Sequence, residues 1–338
     1  MLAGMSEPRI VVAGAGSIGC YVGGVLAAAG RHVTLLCRER IAAEVRERGL
    51  HLTSLDGLDL EVGAGALIIA TDPQALATAD VVLVTVKSGA TRDMARLIAA
   101  QAPSGAAVVS LQNGIGNAAA LRSELPGRTV LAGMVPFNVV HAGEGRFHRG
   151  TSGALVVEAG ADAVTRVLSV PHLAVETSSD MAAVLWGKLL INLNNALNAL
   201  SGLPLYEQLQ QRAWRKLLAA QQREALAVLR IAGIQPWSMG PLPARLLPWV
   251  LRLPTPLFRA LARSAIRIDR RARSSMWEDL ERRRPTEIDE LQGAVVELAA
   301  RLGRDVPVTR RVRDAVKQAE AAGAGSPHLQ PRDLHAAP

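Results

Sequence analysis

The stretch Ile10–Gly19, IVVAGAGSIG, decides the fold of this chain. Its first four residues are apolar and predict a buried strand, and the glycines that follow have the spacing G-x-G-x-x-G. Small residues up to Ala29 predict a helix, and the apolar run 32–37 predicts a second strand. A strand, glycine turn, helix and strand within about 30 residues are typical of a dinucleotide-binding unit. A glycine turn in another kind of α/β protein is the alternative interpretation.

Each glycine has a separate physical role in such a unit. Gly14 allows the tight turn, Gly16 lets the backbone approach a pyrophosphate, and Gly19 lets the helix pack closely on the strand. The first turn of the helix offers free N–H donors and a partial positive charge to the phosphates. We therefore expect a dinucleotide to contact Gly14, Ala15, Gly16, Ser17, Ile18 and Gly19.

The first half of the chain alternates apolar runs with helical patterns. This alternation predicts a Rossmann-type, doubly wound parallel sheet over residues 9–178. The part from 137 to 178 is rich in short β-like pieces and glycine, and we expect it to form an antiparallel edge. The predicted strands are 9–14, 32–37, 66–70, 80–86, 106–111, 129–136 and 153–158, and the predicted helices are 17–29, 39–48, 90–101 and 115–124.

The character of the sequence changes after Ser178. Helical periodicity then continues almost without interruption, so we predict an all-α substrate and catalytic domain over 179–322. Thr286–Asp289 are expected to begin a long helix, with Pro285 at its start in the favoured position. The ends of the chain, 1–8 and 323–338, are expected to be disordered.

A proline-rich segment interrupts the helical half. Residues 236–256 hold six of the chain's eighteen prolines, a density that precludes one long helix. We expect a packed surface excursion there, with a lid and a subunit contact as its alternative roles.

Charge is concentrated in one segment of this basic chain, whose net charge is +8. Nine arginines stand against four acidic residues between Arg259 and Arg284. Arg259, Arg263, Arg267 and Arg271 recur every fourth residue and predict a stripe on one helical face. A solvated face and a nucleic-acid surface are both consistent with that stripe. The low aromatic content of 3% favours the solvated face, so we expect no nucleic-acid partner.

Other functional classes are disfavoured by what the sequence contains. The seven histidines are scattered and the two cysteines give no disulfide framework, which predicts no metal site and a reducing, cytoplasmic setting. The apolar runs are too short for a membrane span, so no membrane partner is expected.

Candidate reactive side chains occur in the first helix after Ser178. Lys188, Asn192 and Asn195 fall at i, i+4 and i+7 and share one face of that helix. Burying a lysine and two amides is costly without polar partners, and a ligand with a carboxylate and a carbonyl would satisfy all three. Lys87 and Asn113 each follow a predicted strand, at the carboxyl edge where open α/β sheets hold ligands.

Five separated stretches together resemble the ketopantoate reductase (2-dehydropantoate 2-reductase) family, over about residues 9–322. They comprise the glycine loop and four further motifs in the expected order. These stretches are Gly14–Gly19, Thr85–Lys87, Leu111–Gly116, Trp186–Asn192, and Ser274–Asp279 with Arg284–Asp289.

The resemblance implies a role for each matching residue. Lys188 corresponds to the family's proton donor to the substrate carbonyl, and Glu287 to a glutamate near substrate and cofactor that helps to hold the active geometry. Asn192 and Ser275 correspond to substrate-binding positions. Lys87 and Asn113 correspond to positions that contact the nucleotide near its reacting end, and Asn113 is also expected to contact the substrate.

The family often has a second asparagine eight residues after the lysine. This chain has Ala196 at that position. Asn195 precedes it and is the candidate replacement for substrate binding, although its direction differs by about 100° around the helix.

The end of the second strand bears on the choice of cofactor. Arg38 corresponds to the family's arginine for the 2′-phosphate, and a guanidinium suits that dianion. Glu39 gives the competing interpretation, an NAD-type acid displaced along the chain. We expect NADP (NADPH) to be the cofactor.

The resemblance implies an NADPH-dependent reductase of a branched 2-oxo acid. The favoured reaction converts 2-dehydropantoate to (R)-pantoate in pantothenate and coenzyme A biosynthesis, with a homodimer as a possible assembly. A reductase of a different small 2-oxo acid and a non-catalytic NADP-sensing protein are the alternatives.

Overall fold

The computed structural model describes residues 7–240, 242–262 and 272–334. The chain divides between Met181 and Ala182 into an N-terminal unit and a C-terminal unit. This division falls three residues after the boundary predicted at Ser178. Of the predicted leader, residues 1–6 lie outside the described part of the chain.

The N-terminal unit alternates strands and helices, as predicted. Its strands are β1 (Arg9–Ala13), β2 (His32–Leu36), β3 (Leu50–Ser54), β4 (Asp59–Val62), β5 (Ile68–Ala70), β6 (Val81–Val84), β7 (Ala107–Ser110), β8 (Val130–Met134), β9 (Val139–Gly143), β10 (Arg146–Arg149), β11 (Leu155–Glu158) and β12 (Val175–Ser178). Its helices are α1 (Ser17–Ala28), α2 (Glu39–Arg48), α3 (Thr91–Gln101), α4 (Asn117–Glu124) and α5 (Asp162–Leu168).

The main sheet has the Rossmann-type strand order. Within the described residues its eight strands run β12-β11-β8-β7-β6-β1-β2-β5. The pairings from β5 to β8 are all parallel. Read from β5, the first six strands follow the dinucleotide-binding order 3-2-1-4-5-6. The predicted doubly wound sheet is therefore confirmed.

The apolar run of β1 is explained by burial on both faces of the sheet. Ile10 and Val12 belong to one hydrophobic core, whereas Val11 and Ala13 belong to another. All four side chains are fully buried. The sequence of a strand that is covered on both faces is a continuous apolar run, not an alternation of apolar and polar residues.

The region expected to form an antiparallel edge divides between two sheets. Strand β11 pairs antiparallel with β8 at the edge of the main sheet. Strands β9 and β10 instead join a second sheet of order β4-β3-β10-β9, in which β10 pairs in parallel with β3. The prediction is thus correct for β11 in the main sheet. Strands β9 and β10 pair antiparallel with each other, but in the second sheet, where β10 also pairs with β3, about a hundred residues earlier in the chain.

The C-terminal unit is helical throughout its described part, in agreement with the prediction. No strand of the described residues lies beyond Ser178, and none of their helices is long and apolar enough to cross a membrane. The helices are α6 (Met181–Ser201), α7 (Leu205–Gln210), α8 (Arg212–Ile231), α9 (Leu247–Arg252), α10 (Thr255–Ala262), α11 (Ser275–Glu281), α12 (Ala294–Arg301) and α13 (Pro307–Ala322), with a π-helical turn at Asp289–Gly293.

The proline-rich segment packs onto the C-terminal unit through a buried arginine. The fully buried Arg215 donates to the carbonyl oxygens of Leu251 and Leu253 at 3.1 and 2.9 Å. Its guanidinium also lies 4.2 Å from the ring centroid of Phe258. These contacts fix short helices where prolines prevent a long one. Trp249, by contrast, is 68% exposed.

Most of the predicted arginine stripe lies outside the part of the chain that the structure describes. Arg263, Arg267 and Arg271 lie outside the described residues. Arg259 lies on α10 and is exposed.

The helix predicted to begin over Thr286–Asp289 begins at Ile288, so this helix is confirmed, whereas the placement of Pro285 at its start is wrong. Thr286 lies before the helix, and its hydroxyl accepts a hydrogen bond from the Ile288 amide at 3.2 Å. The Thr286 amide in turn donates to Glu320 Oε1 at 2.7 Å. The Thr286 hydroxyl therefore closes a turn just before the helix, and Pro285 lies in the preceding loop instead of occupying the first helical turn.

The expected disorder of the tail is also wrong for residues 323–334. The Ser326 hydroxyl donates to the Ala199 carbonyl at 2.7 Å, and the Leu329 amide donates to the Leu200 carbonyl at 2.8 Å. Leu334 closes a 3₁₀ turn and is 1% exposed. Glycine and proline make this segment irregular, but its hydrogen bonds satisfy the carbonyls at the end of α6. Residues 335–338 lie outside the described part.

Replacing Leu334 by alanine should destabilise the protein, because the side chain is buried. We expect Leu334→Ala to lower the free energy of unfolding by about 2–4 kcal/mol in urea titrations of the full chain. Arg332→Ala is the control in the same turn, since the Arg332 side chain is 88% exposed, and it should change stability by less than about 0.5 kcal/mol. Equal, small effects of both variants would show that the tail does not pack.

Candidate functional site

The glycine loop has space for a ligand at one of its three glycines. A Cβ atom on Gly14, which has φ +85°, would lie 2.2 Å from Val86 Cγ1. A Cβ on Gly19 would lie 2.6 Å from Thr85 Oγ1. Around Gly16, however, the nearest atom to such a Cβ is 4.0 Å away. Gly14 and Gly19 are thus required by packing, whereas the surface at Gly16 is open to an approaching group.

The N-terminus of α1 fits an anion. Gly16 caps the helix with no side-chain hydrogen bond, and the first turn carries no acidic residue. The first amides of a helix lack partners within it, so here they can donate to a phosphate. The Thr85 hydroxyl donates to the Gly14 carbonyl at 3.0 Å and holds the loop against the end of β6. These residues therefore fit the pyrophosphate of a dinucleotide.

An arginine and a glutamate, Arg38 and Glu39, follow the end of β2. Arg38 is exposed at the N-cap of α2, and its side chain makes no hydrogen bond or ion pair within the described part of the chain. Glu39 pairs with Arg46 at 3.0 Å. The cation is therefore available to an anionic ligand, while the carboxylate already has a partner.

Lys87 and Asn113 lie in loops that follow neighbouring parallel strands, β6 and β7. Lys87 is exposed and Asn113 is half-buried. The Ser88 hydroxyl donates to the Asn113 carbonyl at 3.1 Å, so the two loops are in contact. Both lie at the carboxyl edge of the sheet, where the sequence placed them.

One face of α6 carries the predicted polar residues of the C-terminal unit. Asn192 is buried, and Lys188 and Asn195 are half-buried. The side-chain amides of Asn192 and Asn195 form no hydrogen bond with other described residues. Burial lowers the pKa of Lys188 to about 8, because a desolvated amine favours its neutral form. Ala196, in contrast, is fully buried.

Ser275 is held near α6 by its neighbour Ser274, which was not predicted to be a site residue. The Ser274 amide donates to Asn198 Oδ1 at 2.8 Å, and its hydroxyl donates to the Asn195 carbonyl at 3.1 Å. Ser274 also accepts from the Trp277 amide at 3.1 Å and so caps α11. Ser275 is the exposed first residue of that helix.

A cluster of buried amides, also missed in the sequence, supports the same end of α6. Gln208 Nε2 donates to Asn194 Oδ1 at 3.1 Å, and Asn198 Nδ2 donates to Gln208 Oε1 at 3.3 Å. Asn194 and Asn198 are four residues apart, a spacing that could have identified a second polar face of the helix.

Glu287 lies two residues before the π-helical turn and is half-buried. Within that turn, Gln292 Nε2 donates to the Leu193 carbonyl of α6 at 2.9 Å. Burial raises the pKa of Glu290, and the negative charges of Glu287 and Asp289 raise it further. The turn that follows Glu287 is therefore fastened to α6 beside Asn192.

Gly187 has a structural reason to be glycine in the middle of a helix. A Cβ at this position would lie 2.2 Å from the carbonyl oxygen of Trp237. The Trp237 amide donates to the Ala183 carbonyl at 2.9 Å. The start of the proline-rich segment thus lies directly on α6, next to Lys188.

In the described residues, no group of three or more His, Cys, Asp and Glu side chains is placed to hold a metal ion. Cys20 and Cys37 are both free and buried, and burial raises the pKa of each thiol.

Comparisons with known proteins cover both units. Residues 10–162 match the family described as ketopantoate reductase PanE/ApbA, and residues 180–320 match its C-terminal family. The chain is 34% identical over 329 residues to the 2-dehydropantoate 2-reductase of Halobacterium salinarum, covering 93% of this chain and 100% of the relative.

Solved structures show the same fold. A PanE/ApbA family ketopantoate reductase from Ralstonia eutropha matches with a TM-score of 0.79 and 30% identity, over 93% of this chain and 99% of that one. A D-mandelate dehydrogenase solved with NADH and anilino(oxo)acetate matches with a TM-score of 0.77 and 20% identity, over 93% and 99% of the two chains. The sequence matches and the shared architecture together show that this chain belongs to the ketopantoate reductase family of NAD(P)-dependent oxidoreductases.

Proposed function

We propose that this protein uses NADPH to reduce 2-dehydropantoate to (R)-pantoate, a cytoplasmic step of pantothenate and coenzyme A biosynthesis. The observation that carries the proposal is the desolvated amine of Lys188 on one face of α6 with Asn192 and Asn195. The choice of 2-dehydropantoate as the substrate is based on the relatives named as 2-dehydropantoate 2-reductases.

Lys188 is the proposed proton donor. When bound, NADPH supplies the hydride that adds to the carbonyl carbon of the 2-oxo acid. The charged amine of Lys188 stabilises the negative charge that develops on the carbonyl oxygen, and then transfers its proton to that oxygen. The neutral amine regains a proton from solvent, so one hydride and one proton are consumed in each turnover.

The remaining polar residues of the C-terminal unit are proposed to orient the substrate. Asn192, Asn195 and Ser275 offer neutral donors, which suit a carboxylate and a hydroxyl without adding fixed charge. Glu287 is proposed to keep Lys188 in position and to contact both ligands. Asn113 is proposed to contact the substrate as well as the cofactor.

The N-terminal unit is proposed to bind the cofactor along the carboxyl edge of its sheet. The glycine loop would hold the pyrophosphate, Arg38 the 2′-phosphate, and Lys87 and Asn113 the half that carries the nicotinamide. Arg38 supports NADPH over NADH because it has no competing partner within the described residues, whereas Glu39 is paired with Arg46.

The experiment that tests the proposal measures NADPH oxidation by the purified protein with a panel of 2-oxo acids. The panel includes 2-dehydropantoate, 2-oxoisovalerate, pyruvate and phenylglyoxylate. The highest kcat/KM for 2-dehydropantoate supports the proposal, and a higher value for another acid would identify a different substrate. Light scattering on the same preparation tests the proposed homodimer.

Removing the amine of Lys188 should abolish most of the activity. We expect Lys188→Met to lower kcat by about 10²-fold or more, the range for losing a positioned acid, with little change in the Kd of NADPH. Lys216→Met is the control, because Lys216 is an exposed lysine on α8. Near-normal turnover by Lys188→Met would require a different proton donor.

The pH dependence follows from the same amine. Below about pH 8 the amine of Lys188 is charged and can donate, and above its pKa of about 8 it is neutral and cannot. We therefore expect kcat/KM for reduction to fall as the pH rises through this value, and Lys188→Arg should not show that fall, since a guanidinium stays charged.

Replacing Arg38 should change the preference between the two nicotinamide cofactors. We expect Arg38→Ala to raise the KM for NADPH about 10- to 100-fold, the loss expected for a hydrogen bond between charged groups, while the KM for NADH changes little. Arg48→Ala removes the same charge from the other end of α2 and is the control. Equal losses for both cofactors would show that the 2′-phosphate is held elsewhere.

Substitutions of two glycines should separate ligand binding from folding. Gly16→Ala should keep the wild-type Tm, because space surrounds that position, but should raise the Kd of NADPH by at least about tenfold by obstructing the pyrophosphate. Gly19→Ala should lower stability by about 1–3 kcal/mol through the contact with Thr85. Tight NADPH binding by Gly16→Ala would contradict the proposed position of the pyrophosphate.

A further inference from the structure

Five polar side chains join the two loops that follow β6 and β7. We call them the loop clasp, and they are Ser88, Thr91, Ser110, Gln112 and Asn117. Thr91 and Asn117 are the first residues of α3 and α4, and Gln112 lies two residues after the end of β7. None of the three was selected as a site residue from the sequence.

Gln112 is the centre of the loop clasp. Its Nε2 donates to the Val86 carbonyl at 3.0 Å and to Thr91 Oγ1 at 2.7 Å. Its Oε1 accepts from the Ser110 hydroxyl at 3.0 Å. Both ends of this amide are therefore in use, and its orientation is fixed by its partners.

Asn117 completes the connection from the other side. Its Oδ1 accepts from the Thr91 hydroxyl at 2.7 Å. Its Nδ2 donates to Ser88 Oγ at 3.0 Å and to the Asn113 carbonyl at 2.6 Å. The donor and acceptor roles are consistent along this series of hydrogen bonds, which runs from the Ser110 hydroxyl through Gln112 and Thr91 to Asn117.

The loop clasp is shielded from solvent. Thr91, Gln112 and Asn117 are 2%, 7% and 7% exposed. Water cannot readily replace a hydrogen-bond partner that is lost inside the loop clasp. Removing one of these polar groups by substitution therefore leaves a buried polar group unsatisfied.

The loop clasp fixes Asn113 relative to the glycine loop. The Val86 carbonyl accepts from Gln112, while the Val86 side chain covers Gly14, where a Cβ would lie only 2.2 Å from it. The adjacent Thr85 hydroxyl donates to the Gly14 carbonyl. Continuous contacts thus run from the proposed pyrophosphate site to the backbone of Asn113.

We infer that Gln112, Thr91 and Asn117 are positioning residues for the nicotinamide half of the cofactor, acting through the loops that carry Lys87 and Asn113. This inference rests on the proposed use of NADPH. The adenosine half is assigned to Arg38 at the end of β2, which takes no part in the clasp. Loosening the clasp should therefore weaken one half of the cofactor site and leave the other unchanged.

A pair of substitutions at Thr91 tests the inference most directly. Thr91→Val keeps the shape but removes the hydroxyl, whereas Thr91→Ser keeps the hydroxyl that accepts from Gln112 and donates to Asn117. Gln112→Met replaces the central amide by an apolar side chain of similar length, and this variant should behave like Thr91→Val. Two probes are used in binding measurements, NADPH and adenosine 2′,5′-bisphosphate, which lacks the nicotinamide half.

We expect Thr91→Val and Gln112→Met to raise the Kd of NADPH and to lower kcat by about tenfold each, because each variant leaves buried polar partners unsatisfied and loosens the loops that carry Lys87 and Asn113. The Kd of adenosine 2′,5′-bisphosphate should stay within about twofold, and Thr91→Ser should resemble the wild type. Ser54→Ala is the matched control, because the buried Ser54 hydroxyl accepts from the amides of Asp56 and Leu58 in the second sheet of the same unit. It should lower stability without moving either Kd.

The outcomes separate this inference from the proposed function. Wild-type protein that binds NADPH, together with Thr91→Val and Gln112→Met variants that keep the wild-type NADPH Kd and kcat, would overturn the inference alone. Equal weakening of both probes would also overturn it, since the clasp would then serve the whole fold. Wild-type protein that does not bind NADPH would overturn the proposed function and the inference together.

Discussion

The close packing of α1 is the constraint on which the N-terminal unit depends. A Cβ on Gly23 would lie 2.6 Å from Leu35 of the main sheet, and one on Gly24 would lie 2.8 Å from Leu50 and Leu52 of the second sheet. Two adjacent glycines therefore let one helix touch two sheets. Because α1 is held on both sides, its N-terminus is fixed at the end of β1, where its free amides can face a ligand.

Helix α6 has a corresponding role in the C-terminal unit, but it is fixed by polar contacts. Gln222 donates to the Leu190 carbonyl at 3.0 Å, and Gln292 donates to the Leu193 carbonyl at 2.9 Å. Ser326 and Leu329 bind the carbonyls of Ala199 and Leu200 near the C-terminus of the helix. A carbonyl oxygen has two lone pairs, so these donors bind α6 without breaking the hydrogen bonds within the helix. Three distant parts of the chain thus hold the helix that carries Lys188.

The parts of the fold that were predicted correctly are those whose causes are local in sequence. The β1-α1-β2 segment was identified because its apolar runs and its glycine spacing lie within about 30 consecutive residues. The pairing of β10 with β3 could not be predicted, since it joins residues about a hundred positions apart and β3 alternates in burial like many half-exposed segments. Pro285 was misplaced because a proline is equally compatible with a loop just before a helix. The buried tail was missed because its glycines and prolines resemble a disordered segment in composition.

The same distinction applies to the candidate site. Lys188, Asn192 and Asn195 were found through helical spacing, which depends only on the sequence of α6. Gln112 and Ser274 were not, because a polar residue is common in a turn and its importance comes from partners on other elements. Residues that would touch a ligand can therefore be recognised by type and spacing. The residues that hold them become visible only when the hydrogen bonds are traced.

Burial of the Lys188 amine connects this architecture to the proposed chemistry. An amine in water has a pKa too high to release its proton readily near neutral pH, and a proton donor works best when its pKa is close to the working pH. Desolvation on α6 brings the pKa of Lys188 to about 8. A mobile helix would admit water and return the pKa toward its ordinary value. The glutamine, serine and tail contacts that fix α6 are thus part of what makes Lys188 an effective acid in the proposed reaction.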